Sequence, residues 1–111
     1  MSDSYIDVSS EDFAEKVLSA EPMVLVNFTA TGSGACQIQA PEYEAISKEF
    51  QGRAVFAQLV TDKNEDITNQ WNIDGIPTII FFKSGREIHR IKGIIMRERL
   101  RKQIEGVLLV H

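Results

Sequence analysis

The chain has 111 residues, 43% of them hydrophobic and 25% charged, a size and composition that fit one globular domain over residues 1–111 with a core of its own. A net charge of −4 without any recognised basic motif argues against nucleic-acid binding. No apolar run approaches the roughly 20 residues a membrane span needs, and the N-terminal stretch has no secretory pattern, so no membrane association is expected and cytoplasm is the expected compartment.

In chain order, Tyr5-Ile6-Asp7-Val8 alternates weakly and is expected to form a first, edge strand. Ser9 or Ser10 ahead of Glu11-Asp12-Phe13 marks a helix start with acidic residues in its first turn. Phe13, Val17 and Leu18 are its expected buried stripe, and Pro22 closes it. Residues Val24 to Pro41 read VLVNFTATGSGACQIQAP. A short, β-branched apolar run, a glycine-broken loop and a long amphipathic segment give strand, tight loop and helix. That helix is expected to run to about Phe50, kinked at Pro41, with Ala45, Ile46 and Phe50 on its apolar face and Gly52 ending it. Ala54 to Val60 reads as a strand and Asp62 to Trp71 as a short polar helix or loop. Thr78–Lys83 and Glu87–Lys92 make a hairpin across Ser84-Gly85. Met96, Leu100, Ile104 and Leu108 define the stripe of a last helix. The order β-α-β-α-β-α-β-β-α predicts an α/β architecture, a central mixed sheet with helices on both faces.

Charge is unevenly spread along this order. Residues 1–82 hold 4 basic and 13 acidic side chains, and residues 83–111 hold 8 basic and 3 acidic. The expected reading is a solvated basic face on the last strand and helix.

The loop after the apolar strand presents Ser33 to Cys36 at a helix N-terminus, where free N–H groups and the helix dipole favour negative charge. Ser33-Gly34-Ala35-Cys36 has the frame of a Cys-x-x-Cys redox motif with its first sulfur replaced by a hydroxyl. Serine at a helix start caps free N–H groups, worth roughly 0.5–2 kcal/mol against alanine. As a nucleophile Ser33 needs a neighbouring base. The histidines, His89 and His111, fall on the late hairpin and the C-terminus, and the G-x-S-x-G spacing is missing, which argues against a serine hydrolase. One cysteine and two scattered histidines make no ligand cluster, so no metal or cofactor is expected.

This stretch resembles the active-site segment of the thioredoxin family, which runs from an apolar strand through Trp-Cys-Gly-Pro-Cys into a helix carrying Ala-Pro. Here those places hold Gly32-Ser33-Gly34-Ala35-Cys36 and Ala40-Pro41. The second family signature is intact as Gly75-Ile76-Pro77-Thr78, followed by Ile79-Ile80-Phe81-Phe82, and a later family glycine corresponds to Gly93. The likeness covers nearly the whole chain and implies the thioredoxin fold. It makes Ser33 and Cys36 the redox-motif positions, with Cys36 the second, more buried cysteine that resolves a mixed disulfide. It also implies a cis Pro77 facing the motif, an Ile76 backbone that pairs with an extended peptide, and polypeptide binding by Gly32, Ile76, Pro77 and Gly93.

The chain departs from the family pattern around the motif. Asn27 and Gln58 stand where the family buries an aspartate and places a lysine; an amide hydrogen-bonds but takes up no proton at neutral pH. Thr29 and Gly32 replace two tryptophans, and Ala35 replaces the motif proline. As written, one cysteine cannot run a two-cysteine cycle. Two readings stay open. The chain binds client polypeptide beside Pro77 as a chaperone-like module, or it is a thiol–disulfide oxidoreductase whose attacking cysteine has been changed to Ser33. The second reading brings a thioredoxin-reductase-like partner with it. A third, monothiol chemistry at Cys36, is disfavoured by the expected burial of the thiol.

Overall fold

In a computed structural model that describes residues 3–111, the elements run β1 (Ile6–Asp7), a π-helical turn (Ala14–Leu18), β2 (Val24–Thr29), α1 (Gly34–Glu49), β3 (Val55–Val60), α2 (Glu65–Gln70), β4 (Thr78–Lys83), β5 (Arg86–Lys92) and α3 (Arg97–Val110). Met1 and Ser2, the start of the expected domain, lie outside the described residues. The strands form one sheet in the order β1-β3-β2-β4-β5. β1, β3 and β2 are mutually parallel, while β4 runs antiparallel to β2 and β5 antiparallel to β4. The apolar strand β2 is therefore central, which is why its run reads as continuously hydrophobic.

Alternation along β2 divides the core in two. Leu25 faces α1 and α3, where it packs with Tyr43, Ile46, Phe50, Phe56, Phe81, Leu100 and Ile104. Val24, Val26 and Phe28 face the opposite side, with Phe13, Val17, Leu59, Ile67 and Phe82. Helices thus cover both faces of a mixed sheet, as the element order predicts.

Two expectations need correction. The first helix is a single π-helical turn, closed where the Ser19 N–H donates to the Ala14 carbonyl at 2.9 Å. The Asp12 carboxylate turns back to accept the Ser9 N–H at 2.7 Å, and this bond is the main reason its pKa lies below the usual carboxylate range. Met96, expected in the buried stripe of the last helix, is 51% exposed. It is the residue before α3, in extended conformation, so the four-residue spacing to Leu100 does not place it on the helix face. Pro41 sits inside α1 without ending it. The hairpin closes tightly, β5 starting at Arg86, because Ser84 and Gly85 both take positive φ (54° and 78°), the geometry of a type I′ turn.

The charge asymmetry closes on itself. Arg97 pairs with Glu42 at 3.0 Å, Arg101 with Glu49 at 2.6 Å and Lys92 with Asp74 at 3.3 Å, each joining the basic end of the chain to its acidic first part. The basic face is solvated only in part.

Candidate functional site

Register brings the expected residues to one end of the sheet. Phe28 lies opposite Thr78, so the loop leaving β2 towards Ser33 and the segment Gly75–Pro77 entering β4 are neighbours. Thr78 in turn lies opposite Lys92, which puts Gly93 at the same end. The Gly93 N–H donates to the Pro77 carbonyl at 2.8 Å, and the Ile76–Pro77 peptide bond is cis. The Thr78 hydroxyl donates back to the Gly75 carbonyl at 2.6 Å.

The loop before α1 is fixed from outside as well as from within. Gly32 takes φ of 78°, a left-handed conformation that glycine adopts without a steric penalty. The Thr31 N–H donates to Asp62 Oδ1 at 3.1 Å, the leading cause of a lowered pKa at that carboxyl. Ser33 is the N-cap of α1: its Oγ accepts the Cys36 N–H at 3.2 Å, and its carbonyl accepts the Gln37 N–H at 3.0 Å. Cys36 is buried at 5% exposure and Ser33 is half-buried. The hydroxyl is thus engaged as a cap. His89 is hydrogen-bonded to Gln103, 2.8 Å away on α3, and is not gathered with Ser33 by the register. Among the described residues no cluster of His, Cys, Asp and Glu is disposed to hold a metal ion. Among them, too, no helix is long and apolar enough to cross a membrane.

Asn27 and Gln58 lie opposite one another in the β2–β3 register, on the α1 side of the sheet. They do not act as a pair. Asn27 is 1% exposed and its Oδ1 accepts no hydrogen bond, whereas Gln58 is half-buried and donates from Nε2 to Asp7 Oδ1 at 3.3 Å.

The thioredoxin family model matches residues 4–106. The chain belongs to the thioredoxin family. It is 35% identical over 101 residues to a thioredoxin of Synechocystis sp., a match covering 91% of this chain and 94% of that protein. It is 36% identical over 102 residues to the chloroplastic M-type thioredoxin of Spinacia oleracea, covering 92% of this chain and 56% of the spinach protein. A thioredoxin of Chlorobaculum thiosulfatiphilum is 29% identical over 101 residues, covering 91% of this chain and 94% of that one.

Within this thioredoxin-family fold, two residues near the motif were missed by sequence reasoning. Gln39, fully buried on α1, accepts the Ile95 N–H at 2.7 Å and donates from Nε2 to the Ile95 carbonyl at 2.9 Å. Glu42 Oε1 accepts the Arg97 N–H at 2.7 Å, and the Arg97 guanidinium bonds both its oxygens. The Arg97 side chain, then its backbone N–H, holds the Glu42 carboxyl below its usual range. A signal was present in the spacing. Cys36, Gln39, Tyr43 and Ile46 fall on one helical stripe, and an amide inside an otherwise apolar stripe calls for a buried partner.

Proposed function

We propose that this thioredoxin-family chain binds an extended client polypeptide in the groove beside Pro77, as a chaperone-like module of one domain acting in the cytoplasm, without a two-cysteine redox cycle. The observation that carries this reading is the bond from Gly93 to the Pro77 carbonyl beside the cis Ile76–Pro77 peptide. It ties together the segments proposed to hold a peptide. In this reading Gly32, Ile76, Pro77 and Gly93 contact the client, and the Ile76 backbone pairs with it as an added strand does. Ser33 and Cys36 occupy the redox-motif positions: one is spent as a helix cap and the other is a buried lone thiol. Asn27 and Gln58 support the site from the sheet.

A second reading is favoured by the relatives, which bear the name thioredoxin. In it the chain is a disulfide reductase missing its attacking sulfur, served by a thioredoxin-reductase-like partner. Its chemistry is explicit. In Ser33→Cys the new thiolate attacks one sulfur of a substrate disulfide, forming a mixed disulfide and releasing the other sulfur as a thiol. The Cys36 thiolate then attacks the enzyme-side sulfur, releasing the second substrate thiol and leaving an intramolecular disulfide.

One pair of measurements separates the two. Calorimetry with reduced, carboxymethylated lactalbumin, a permanently unfolded chain, is expected to show binding by the unsubstituted protein and weaker binding by Pro77→Ala. Insulin reduction with dithiothreitol is expected to stay at background for Ser33→Cys. No binding by the unsubstituted chain, together with insulin reduction by Ser33→Cys, transfers the assignment to the reductase.

A further inference from the structure

The end of the sheet opposite the motif holds a hollow of its own. β2 and β3 start there, Val24 opposite Val55, while the loop to Ser33 leaves from the other end of β2. A cavity of about 360 Å³ lies between the N-terminal segment, the turn after α1 and the first residues of β3, walled by Asp3, Tyr5, Pro22, Arg53, Val55 and Phe56. That volume falls in the range of small-molecule sites, roughly 300–1,000 Å³.

Hydrogen bonds fix the walls. Gln51 Nε2 donates to the Ser4 carbonyl at 2.9 Å and to the Ser47 carbonyl at 2.7 Å, which ties the N-terminal segment to the end of α1. β1 follows directly and is paired with β3 at Ile6 and Ala57. On the far side the Val55 N–H donates to the Met23 carbonyl at 2.8 Å. Between them the chain turns at Gly52, whose φ of 85° is left-handed, and a Cβ at this position would meet nothing within 4 Å.

Arg53 is the wall residue with free chemistry. Its guanidinium carbon lies 5.0 Å from the centre of the Phe50 ring, a cation–π contact. Among the described residues no carboxylate is in ion-pair reach of it. Glu49, near the end of α1, is taken by Arg101 at 2.6 and 2.9 Å. An arginine oriented by a ring keeps its fork of N–H donors for a planar anion, and a carboxylate matches that fork with two parallel bonds. Most of the remaining wall is apolar, with Phe56 buried beside Tyr5, Val55 and Pro22. Asp3, the other charged wall residue, repels any second negative charge on a ligand.

We propose that this cavity binds a small monocarboxylate with an aromatic or branched aliphatic body, the carboxylate on the Arg53 guanidinium and the body against Tyr5, Pro22 and Phe56. The site is separate from the groove beside Pro77 and stands whether or not that groove binds peptide.

The test is a titration of the isotope-labelled full chain with hydrocinnamate, followed by backbone amide shifts. Saturable shifts are expected at Tyr5, Gly52, Arg53 and Val55, and none at Ser33, Cys36 or Gly93. Hydrocinnamide, which keeps the shape and lacks the charge, is expected to bind about tenfold more weakly. Arg53→Gln, at an exposed position, is expected to lose about tenfold in affinity for hydrocinnamate, with a melting temperature near that of the unsubstituted protein. Arg53→Lys should fall between the two, because an ammonium keeps the charge and loses the fork. Absence of saturable shifts at those four amides overturns the site. Equal affinity for the acid and its amide, or an unchanged affinity in Arg53→Gln, overturns the assignment of a carboxylate to Arg53.

Discussion

Two helices begin beside the candidate site, and they begin by different means. α1 is capped by its own N-cap residue, the Ser33 hydroxyl accepting the Cys36 N–H. α3 has Met96 at the same position, with no side-chain oxygen to offer, and its first N–H, that of Arg97, is taken by Glu42 of α1. The start of α1 is thus written in four consecutive residues, whereas the start of α3 is written on another helix 55 residues earlier in the chain. One consequence is structural. The connection after Gly93 is bonded to α1 at Ile95 and Arg97, so the start of α3 is tied to the helix that carries Cys36. The same comparison gives Ser33 a reason to be present that has nothing to do with nucleophilic chemistry.

The largest expected effect tests the distant arrangement. Gln39→Leu leaves the buried Ile95 N–H and carbonyl without partners, and at about 1–3 kcal/mol for each unpaired group the loss is roughly 2–6 kcal/mol. Urea denaturation reads this as a lower midpoint at an unchanged slope. Hydrogen exchange should speed first at the start of α3 and leave the first turn of α1 protected. Equal loss of protection at both helix starts breaks the contrast between them. Next in size is Ser33→Ala, expected to cost about 1 kcal/mol by uncapping α1. Ser33→Asp should recover most of it, since a carboxylate caps as well and sits at the positive end of the helix dipole.

How far the sequence could be read follows the same division between near and far. The β2–loop–α1 unit, the Ser84-Gly85 hairpin and the segment before β4 rest on local signals: a β-branched run, glycines at turns, a capping serine. Each was legible with small shifts of boundary. The π-helical turn was not. Ser9 and Asp12 give an ordinary helix-start pattern, yet Asp12 is spent on Ser9 and the stretch to Leu18 closes after one wide turn. Met96 was misplaced because apolar spacing does not say where a helix begins, and the group that sets that boundary is Glu42. For Gln39 the stripe signals a buried amide, but its partner is the Ile95 backbone, which leaves no mark in the sequence. At the motif, the residues could be named from their pattern, but the separation of Asn27 from Gln58 depended on Asp7, brought alongside only by the β1–β3 pairing.

A smaller effect is expected from pH. Arg97 depresses the folded-state pKa of Glu42, so this carboxylate adds stability above its unfolded value of about 4.3, and the contribution disappears as pH falls through the lower folded value. The melting temperature of Glu42→Gln should therefore lie below that of the unsubstituted protein at pH 7, with the gap narrowing towards pH 3. A gap that stays constant across that range would mean the carboxylate's charge is not what holds α3.

The smallest effect gives α3 the kind of start that α1 already has. Met96→Ser places a hydroxyl at the N-cap, where it can accept the N–H of Glu98 or Arg99, the second and third residues of the helix. The Arg97 N–H stays with Glu42, so the two caps serve different donors and do not compete. The gain should be a few tenths to about 1 kcal/mol by urea denaturation, the lower end being favoured because exposed N–H groups already find water. More telling is the combination with Glu42→Gln. If the distant cap positions α3 and the new local one only adds to it, the two effects sum, within about 0.5 kcal/mol. If Met96→Ser instead abolishes the loss caused by Glu42→Gln, a local cap suffices at this helix too. Reliance on α1 would then follow from having methionine at the N-cap, and would not be a requirement for starting α3.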